Sequence, residues 1–260
     1  MHEREGARFG LDYAYRLVDF DQLGLHDDAL DDVIAAAEEL GFCGLNVTHP
    51  FKQSVIPFLT ELSPDAAAIG AVNTLVFKGG RRIGHNTDSW GFAESFRESM
   101  AGCPLDRVVQ LGAGGAGAAV AYALLELGVT QLALFDTSAS RAQDLAGRLN
   151  ARFGGRLTAA IDLTAAFAHT GGVVNTTPVG MAKYPGLPFA PELLSRRHWV
   201  AEIIYFPAET ALLKLAGELG CRTLSGLGMA VNQAVRAFEL FTGIMPDKAA
   251  MTRHFAEGGP

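Results

Sequence analysis

Apolar and polar positions along the 260 residues fall into short runs with two different periods. Residues 13–18 (YAYRLV) alternate and read as a strand. Residues 28–40 carry Leu30, Val33, Ile34 and Leu40 at near-helical spacing, with Gly41 as the stop, and read as a helix. Residues 44–47 are a short apolar run of the buried-strand type. Ser63 before Pro64 is an N-cap with proline at the first helical position. Residues 71–77, then Gly79-Gly80, then 82–85 read as a hairpin, and 89–100 as a helix. A second block repeats strand and helix: 107–111, 115–127, 131–135 and 138–150, followed by strands at 173–174 and 199–204. Repeated βα units predict an α/β fold with a parallel sheet covered on both faces. The apolar helix over 229–242 has no strand after it and is free to leave the second block.

The strand at 107–111 runs directly into Gly112-Ala113-Gly114-Gly115-Ala116-Gly117 and then into an Ala-rich helix. This is GxGxxG in the context its chemistry needs. Gly112 permits the tight turn, Gly114 lets a pyrophosphate approach the backbone, and Gly117 lets helix and strand pack closely. The helix N-terminus offers free N–H groups and the positive end of its dipole to the phosphates. The next strand ends at Asp136, where a carboxylate can accept from both adenosine ribose hydroxyls and repel a 2′-phosphate. The same residue also reads as a helix N-cap or a strand-end carboxylate. Thr137, Ser138, Ala139 and Ser140 follow, and Arg141 is the first cation, placed already on the next helix. NAD is therefore the expected cofactor and NADP the less favoured one.

Composition narrows the rest. Formal net charge is −7, so no general basic face for nucleic acid is expected. Cys43, Cys103 and Cys221 are scattered and odd in number, and they read as reduced thiols without a metal site. No apolar run reaches the roughly 20 residues that span a bilayer. The polar opening MHEREGARFG shows no secretory apolar stretch, so a soluble, cytoplasmic protein is expected.

Polar groups also cluster where core packing does not ask for them: Asn46-Val47-Thr48-His49-Pro50-Phe51-Lys52, Ala71-Val72-Asn73-Thr74 and His85-Asn86-Thr87-Asp88, each at a strand end. Hydride transfer from an alcohol needs a group that takes the hydroxyl proton, and Lys52 with Asp88 could supply it. A lysine, ordinarily near about 10.4, would need burial or a neighbouring cation to act as a base at neutral pH. Taken alone, the two residues read first as a solvated ion pair. His49 and His85 have no metal-ligand company, and Met181 and Met229 read as core filler.

The strings NVTHPFK, GAVNT, GHNTDSWGF, LGAGGAG, VVNTTPVGM and GMAVNQAVRAFELFTG, in that order, resemble the shikimate dehydrogenase family. The resemblance implies two domains. A substrate domain with a mainly parallel sheet would comprise 1–87 and 226–260, and a Rossmann-like dinucleotide domain 88–225. It implies catalytic roles for Lys52 and Asp88 and substrate contacts from Asn46, Thr48, Asn73, Tyr205 and Gln233. Asn175, Thr176, Gly180, Met181 and Gly228 would serve the cofactor, with Gly112 to Gly117, Asp136 and Arg141.

Asp136-Thr137 stands where NADP-using members carry Asn-Arg-Thr, which is similar to the NAD-preferring quinate/shikimate branch. The implied activity is interconversion of shikimate or quinate with the corresponding ketone, by an enzyme that could be a homodimer. Alternatives are a dehydrogenase for an amino-shikimate type of ring acid and a non-catalytic sensor of NAD or a ligand. Family members open with a strand and a Ser-x-Ser or Ser-x-Thr motif followed by Pro-x-Met-His, and Met1-His2-Glu3 resembles the last part of that pattern. The expectation is that Met1 is an internal methionine of the native protein and that one sheet strand and the hydroxyl pair are missing.

Overall fold

A computed structural model describes residues 1–258. The chain forms two compact units. One comprises Met1–Thr87 together with the chain from Val231 on, the other Asp88–Ala230. The boundary falls inside the helix Gly226–Thr242.

The first unit holds strands β1 (Gly44–Asn46), β2 (Glu61–Leu62), β3 (Thr74–Lys78) and β4 (Arg81–His85), ordered β1-β3-β4-β2. β3 and β4 make the expected hairpin around Gly79-Gly80, both at positive φ. β1 pairs antiparallel with β3, and only β2 and β4 are parallel. The smaller sheet is thus mixed rather than mainly parallel, because a hairpin forces adjacent strands to run in opposite directions. Its core joins Leu30 and Ile34 of the helix Leu30–Glu39 to Val47, Val55, Ala66, Val72 and Leu75. Ser63 caps the helix Pro64–Ile69, its hydroxyl accepting from Ala66 N–H.

Residues 13–18 are not a strand. Their alternation has another cause. Tyr13 stacks on Phe238 with ring centroids 5.5 Å apart, and Tyr15 stacks on His2 at 4.8 Å. Tyr13 and Tyr15 are both drawn to an aromatic cluster, while Leu17 is exposed, and a period of two results without a ladder.

The second unit holds β5 (Arg107–Leu111), β6 (Gln131–Phe135), β7 (Leu157–Ala159), β8 (Gly172–Asn175), β9 (Trp199–Glu202) and β10 (Arg222–Leu224). All are parallel, in the order β10-β9-β8-β5-β6-β7. The chain winds outward from β5 through β6 and β7, then returns to place β8 on the other side. The topological switch point therefore lies between β5 and β8, the position where doubly wound sheets open a crevice at their carboxyl ends. The helix Gly115–Glu126 is buried from Gly117 through Leu125. Its Ala-rich sequence follows from that burial: small side chains let a helix enclosed on several sides approach the sheet closely. Val109, Leu111, Phe167, Val173 and Val200 centre the core of this unit.

Among the described residues no helix is long and apolar enough to cross a membrane, and no group of three or more His, Cys, Asp or Glu side chains could hold a metal ion.

Candidate functional site

The turn after β5 is built as its glycines suggest. Gly112 has φ +100°, a conformation that favours glycine, and a Cβ there would lie 2.6 Å from Thr176 Oγ1. A Cβ on Gly117 would lie 2.3 Å from the Gly112 carbonyl oxygen. Gly114 is different: a Cβ there would meet nothing within 4 Å, so the front of the turn is open. Gly114 is also the N-cap of the helix Gly115–Glu126, and no side chain caps that end. The first N–H groups of this helix thus have no side-chain cap, beside a backbone at Gly114 that lies clear for close approach. These residues, with exposed Gly114 and half-buried Gly115 and Ala116, fit the pyrophosphate of a dinucleotide.

Three side chains hold the turn in place. Gln110, fully buried at the end of β5, donates its amide N–H groups to the carbonyls of Gly112 at 3.0 Å and Gly117 at 2.8 Å. Thr176 Oγ1 lies 2.7 Å from the Leu111 carbonyl oxygen and 2.9 Å from that of Gly112, tying the end of β8 to the turn. Asp136 accepts from Ala113 N–H at 2.8 Å and from Ser138 N–H at 2.8 Å. Its side chain is only 7% exposed, whereas Arg141 is exposed and lies 3.6 Å from Asp136 Oδ1. The expectation that Asp136 has no cation nearby is corrected here. Arg141 does lie on the helix Ala139–Phe153, but the first turn of that helix folds back toward the end of β6.

Asn175, at the end of β8, organises the next turn. Its Oδ1 accepts from Thr177 N–H and Oγ1, and its Nδ2 donates to the Val179 carbonyl at 3.0 Å. Gly180 has φ +117° and packs on Ile204 and Thr210. Met181 is partly exposed beside it. Gly228 has a packing reason of its own, since a Cβ there would lie 2.1 Å from Ser95 Oγ. Tyr205 is 45% exposed in this same unit, and Asp88 is buried in it.

The first unit brings together a different set. Tyr15 donates its hydroxyl to Asn46 Oδ1 at 2.9 Å, and Asn46 Nδ2 donates to Thr74 Oγ1 at 3.3 Å. Asn73 Oδ1 accepts from Thr87 N–H at 2.7 Å, and its Nδ2 donates to Thr87 Oγ1 at 3.0 Å. Thr87 Oγ1 lies 3.4 Å from Gln233 Oε1. Asn46, Asn73 and Gln233, far apart in sequence, therefore share one polar relay whose joints are Thr74 and Thr87. Burial pushes the Tyr15 phenol above its ordinary range, which keeps it a neutral donor. A cavity of about 530 Å³ opens beside this relay, lined by Tyr13, Tyr15, Asn46, Thr48, His49 and Phe51 among others. Lys52 is half-buried on the turn that follows.

Comparison with known proteins matches both ends of this arrangement. The family model described as shikimate dehydrogenase substrate binding domain matches residues 1–75, and that described as shikimate 5′-dehydrogenase C-terminal domain matches residues 226–254. The shikimate dehydrogenase (NADP(+)) of Streptomyces avermitilis is 53% identical over 260 residues, covering 99% of this chain and 89% of the relative. The chain belongs to the shikimate dehydrogenase family. The quinate/shikimate dehydrogenase (NAD(+)) of Corynebacterium efficiens is 46% identical over 259 residues, covering 98% of this chain and 91% of the relative. The solved quinate dehydrogenase from Corynebacterium glutamicum in complex with NAD superposes with a TM-score of 0.92 at 45% identity, covering 98% of this chain and 92% of that one.

This is an oxidoreductase family with a two-domain Rossmann-like fold. Within that frame, sequence reading passed over Tyr15, Gln110 and Glu202. Two of them left a signal. Gln110 is the one polar residue between apolar neighbours in VVQL just before the glycine turn, and Glu202 is a lone acid inside WVAEIIY. A polar group buried in a strand is retained only with partners. Tyr15 was hidden by being read as part of a strand.

Proposed function

We propose that this chain is an NAD-preferring dehydrogenase that interconverts shikimate or quinate with the corresponding ketone. The observation that carries the reading is the Asp136 carboxylate, held by Ala113 N–H at the rim of an open glycine turn. A carboxylate there accepts from ribose hydroxyls and opposes a 2′-phosphate. When bound, the nicotinamide dinucleotide supplies the hydride donor or acceptor.

The protein's part is placement and proton handling. The first N–H groups of the helix Gly115–Glu126 hold the pyrophosphate, and Asn175, Thr176, Gly180, Met181 and Gly228 border the nicotinamide side. Asn46, Thr48, Asn73, Tyr205 and Gln233 hold the ring acid by its hydroxyl and carboxylate groups. Lys52 takes or returns the proton of the reacting hydroxyl, and Asp88 keeps that ammonium oriented. The domain of residues 1–87 and 226–260 would bind substrate, and residues 88–225 would bind dinucleotide.

One observation favours a second cofactor. Arg141, 3.6 Å from Asp136, offsets its charge and could meet a 2′-phosphate, and the Streptomyces avermitilis relative is named for NADP. Steady-state kcat/KM with NAD and NADP, each against shikimate and quinate, decides between them. NAD is expected to win, and Asp136→Asn should narrow the preference by about tenfold, in line with the loss of one charge-assisted hydrogen bond. A wild-type preference for NADP overturns the cofactor assignment. Absence of dinucleotide reduction with either acid overturns the substrate class and favours an amino-shikimate type of ring or a sensing role.

A further inference from the structure

Glu202 ends β9 and is only 1% exposed. A buried carboxylate is costly unless its oxygens are matched by donors. Here they are. Asn175 Nδ2 lies 3.1 Å from Oε1 and 2.9 Å from Oε2, Ile204 N–H donates to Oε1 at 3.2 Å, and Thr210 Oγ1 donates to Oε2 at 3.2 Å. The groups that face it, from β8 and from the segment after β9, are the Asn175 amide, the Thr210 hydroxyl and the N–H groups of Ile203 and Ile204, all neutral donors.

The carboxylate decides which way the Asn175 amide turns. An ionised carboxylate only accepts, so it takes the NH2 end and leaves Oδ1 for Thr177. Thr177 Oγ1 in turn accepts from Val179 N–H at 3.2 Å. On the other side, Thr210 is the N-cap of the helix Ala211–Glu218, its hydroxyl accepting from Leu213 N–H at 3.3 Å. One side chain thus joins two segments at the carboxyl end of the sheet.

We propose that Glu202 is a positioning residue for the dinucleotide site, its carboxylate locking the Asn175 amide, and through it the 175–181 turn, against the 203–210 segment. This rests on reading the 175–181 turn as part of that site. Burial pushes the Glu202 carboxyl up to about 7, its hydrogen bonds opposing the shift. Below that pH the group gains an O–H, which faces donors, and its grip on Asn175 weakens. The two pH effects have opposite signs. A carboxyl whose folded value lies above its ordinary 4.5 adds stability as pH falls from about 7 toward 4.5, because the folded chain binds the proton more tightly. Dinucleotide affinity should fall over the same step.

The experiment compares wild type with Glu202→Gln, using NAD as the probe. In the wild type, NAD affinity should weaken several-fold between about pH 8 and about pH 6 while the melting temperature does not drop in parallel. Glu202→Gln should bind NAD about tenfold more weakly at pH 8, with a flattened pH profile and a melting temperature held or raised. Amide exchange at Thr177 and Val179 should quicken about fivefold in the variant. Unchanged exchange overturns the locking role. Faster exchange with unchanged NAD affinity overturns the placement of the turn at the dinucleotide. Failure of wild type to bind either NAD or NADP overturns the functional reading itself, before any variant is made. Should Glu202→Gln fold poorly, the wild-type titration still decides: an affinity flat across about pH 7 rejects the proposal.

Discussion

In the six-stranded unit, the groups proposed for the pyrophosphate are backbone groups: the open Gly114 and the start of the helix Gly115–Glu126, which no side chain caps. In the four-stranded unit the polar groups are side chains, relayed from Tyr15 through Asn46 and Thr74, and from Asn73 through Thr87 to Gln233. The first kind of site depends on what is absent, since two of its glycines are needed because a Cβ would strike a neighbour. The second depends on what is present, one hydrogen bond after another. Backbone sites fail abruptly when a side chain is added. Side-chain relays lose function gradually, one partner at a time.

Three substitutions test that contrast. Lys52→Ala should lower kcat by about 10²- to 10⁴-fold, the range for a lost proton-transfer group, while the dissociation constant for the dinucleotide stays unchanged. Retained turnover within a few-fold would remove Lys52 from the chemistry. Gly117→Val forces a Cβ to within 2.3 Å of the Gly112 carbonyl. Dinucleotide affinity should fall by about 100-fold and stability by about 1–3 kcal/mol, read by calorimetric titration and thermal melting, with ring-acid binding intact. A variant that binds normally would show that the turn adapts and that the contrast is false. Tyr15→Phe removes only the hydroxyl that faces Asn46. It should raise KM for the ring acid a few-fold, about 0.5–1.5 kcal/mol, and leave dinucleotide KM alone. An equal effect on both KM values would mean that Tyr15 serves the fold rather than the relay.

The two regions were unequally legible in the sequence. The GxGxxG turn, the Ala-rich helix after it and the hairpin around Gly79-Gly80 could be read directly, because each depends on neighbours within a few residues. The period of two at 13–18 misled, since stacking of Tyr13 on Phe238 imitates the alternation of a strand. The smaller sheet, expected to be mainly parallel, is mixed, because strand direction follows from connections that local periodicity does not encode. Local pattern puts Arg141 on the next helix but does not encode its 3.6 Å approach to Asp136.

The βα alternation from 107 to 150, the glycine turn and the polar strings at strand ends were determined by the sequence itself, since backbone conformation and local hydrogen bonding are short-range. Tertiary structure alone decided that Gln110 clamps the turn, that Tyr15 meets Asn46, and that Glu202 joins the Asn175 turn to Thr210. Each of these is a polar group buried among partners distant along the chain. Burial creates the requirement for a partner, and only the folded chain determines which residue meets it.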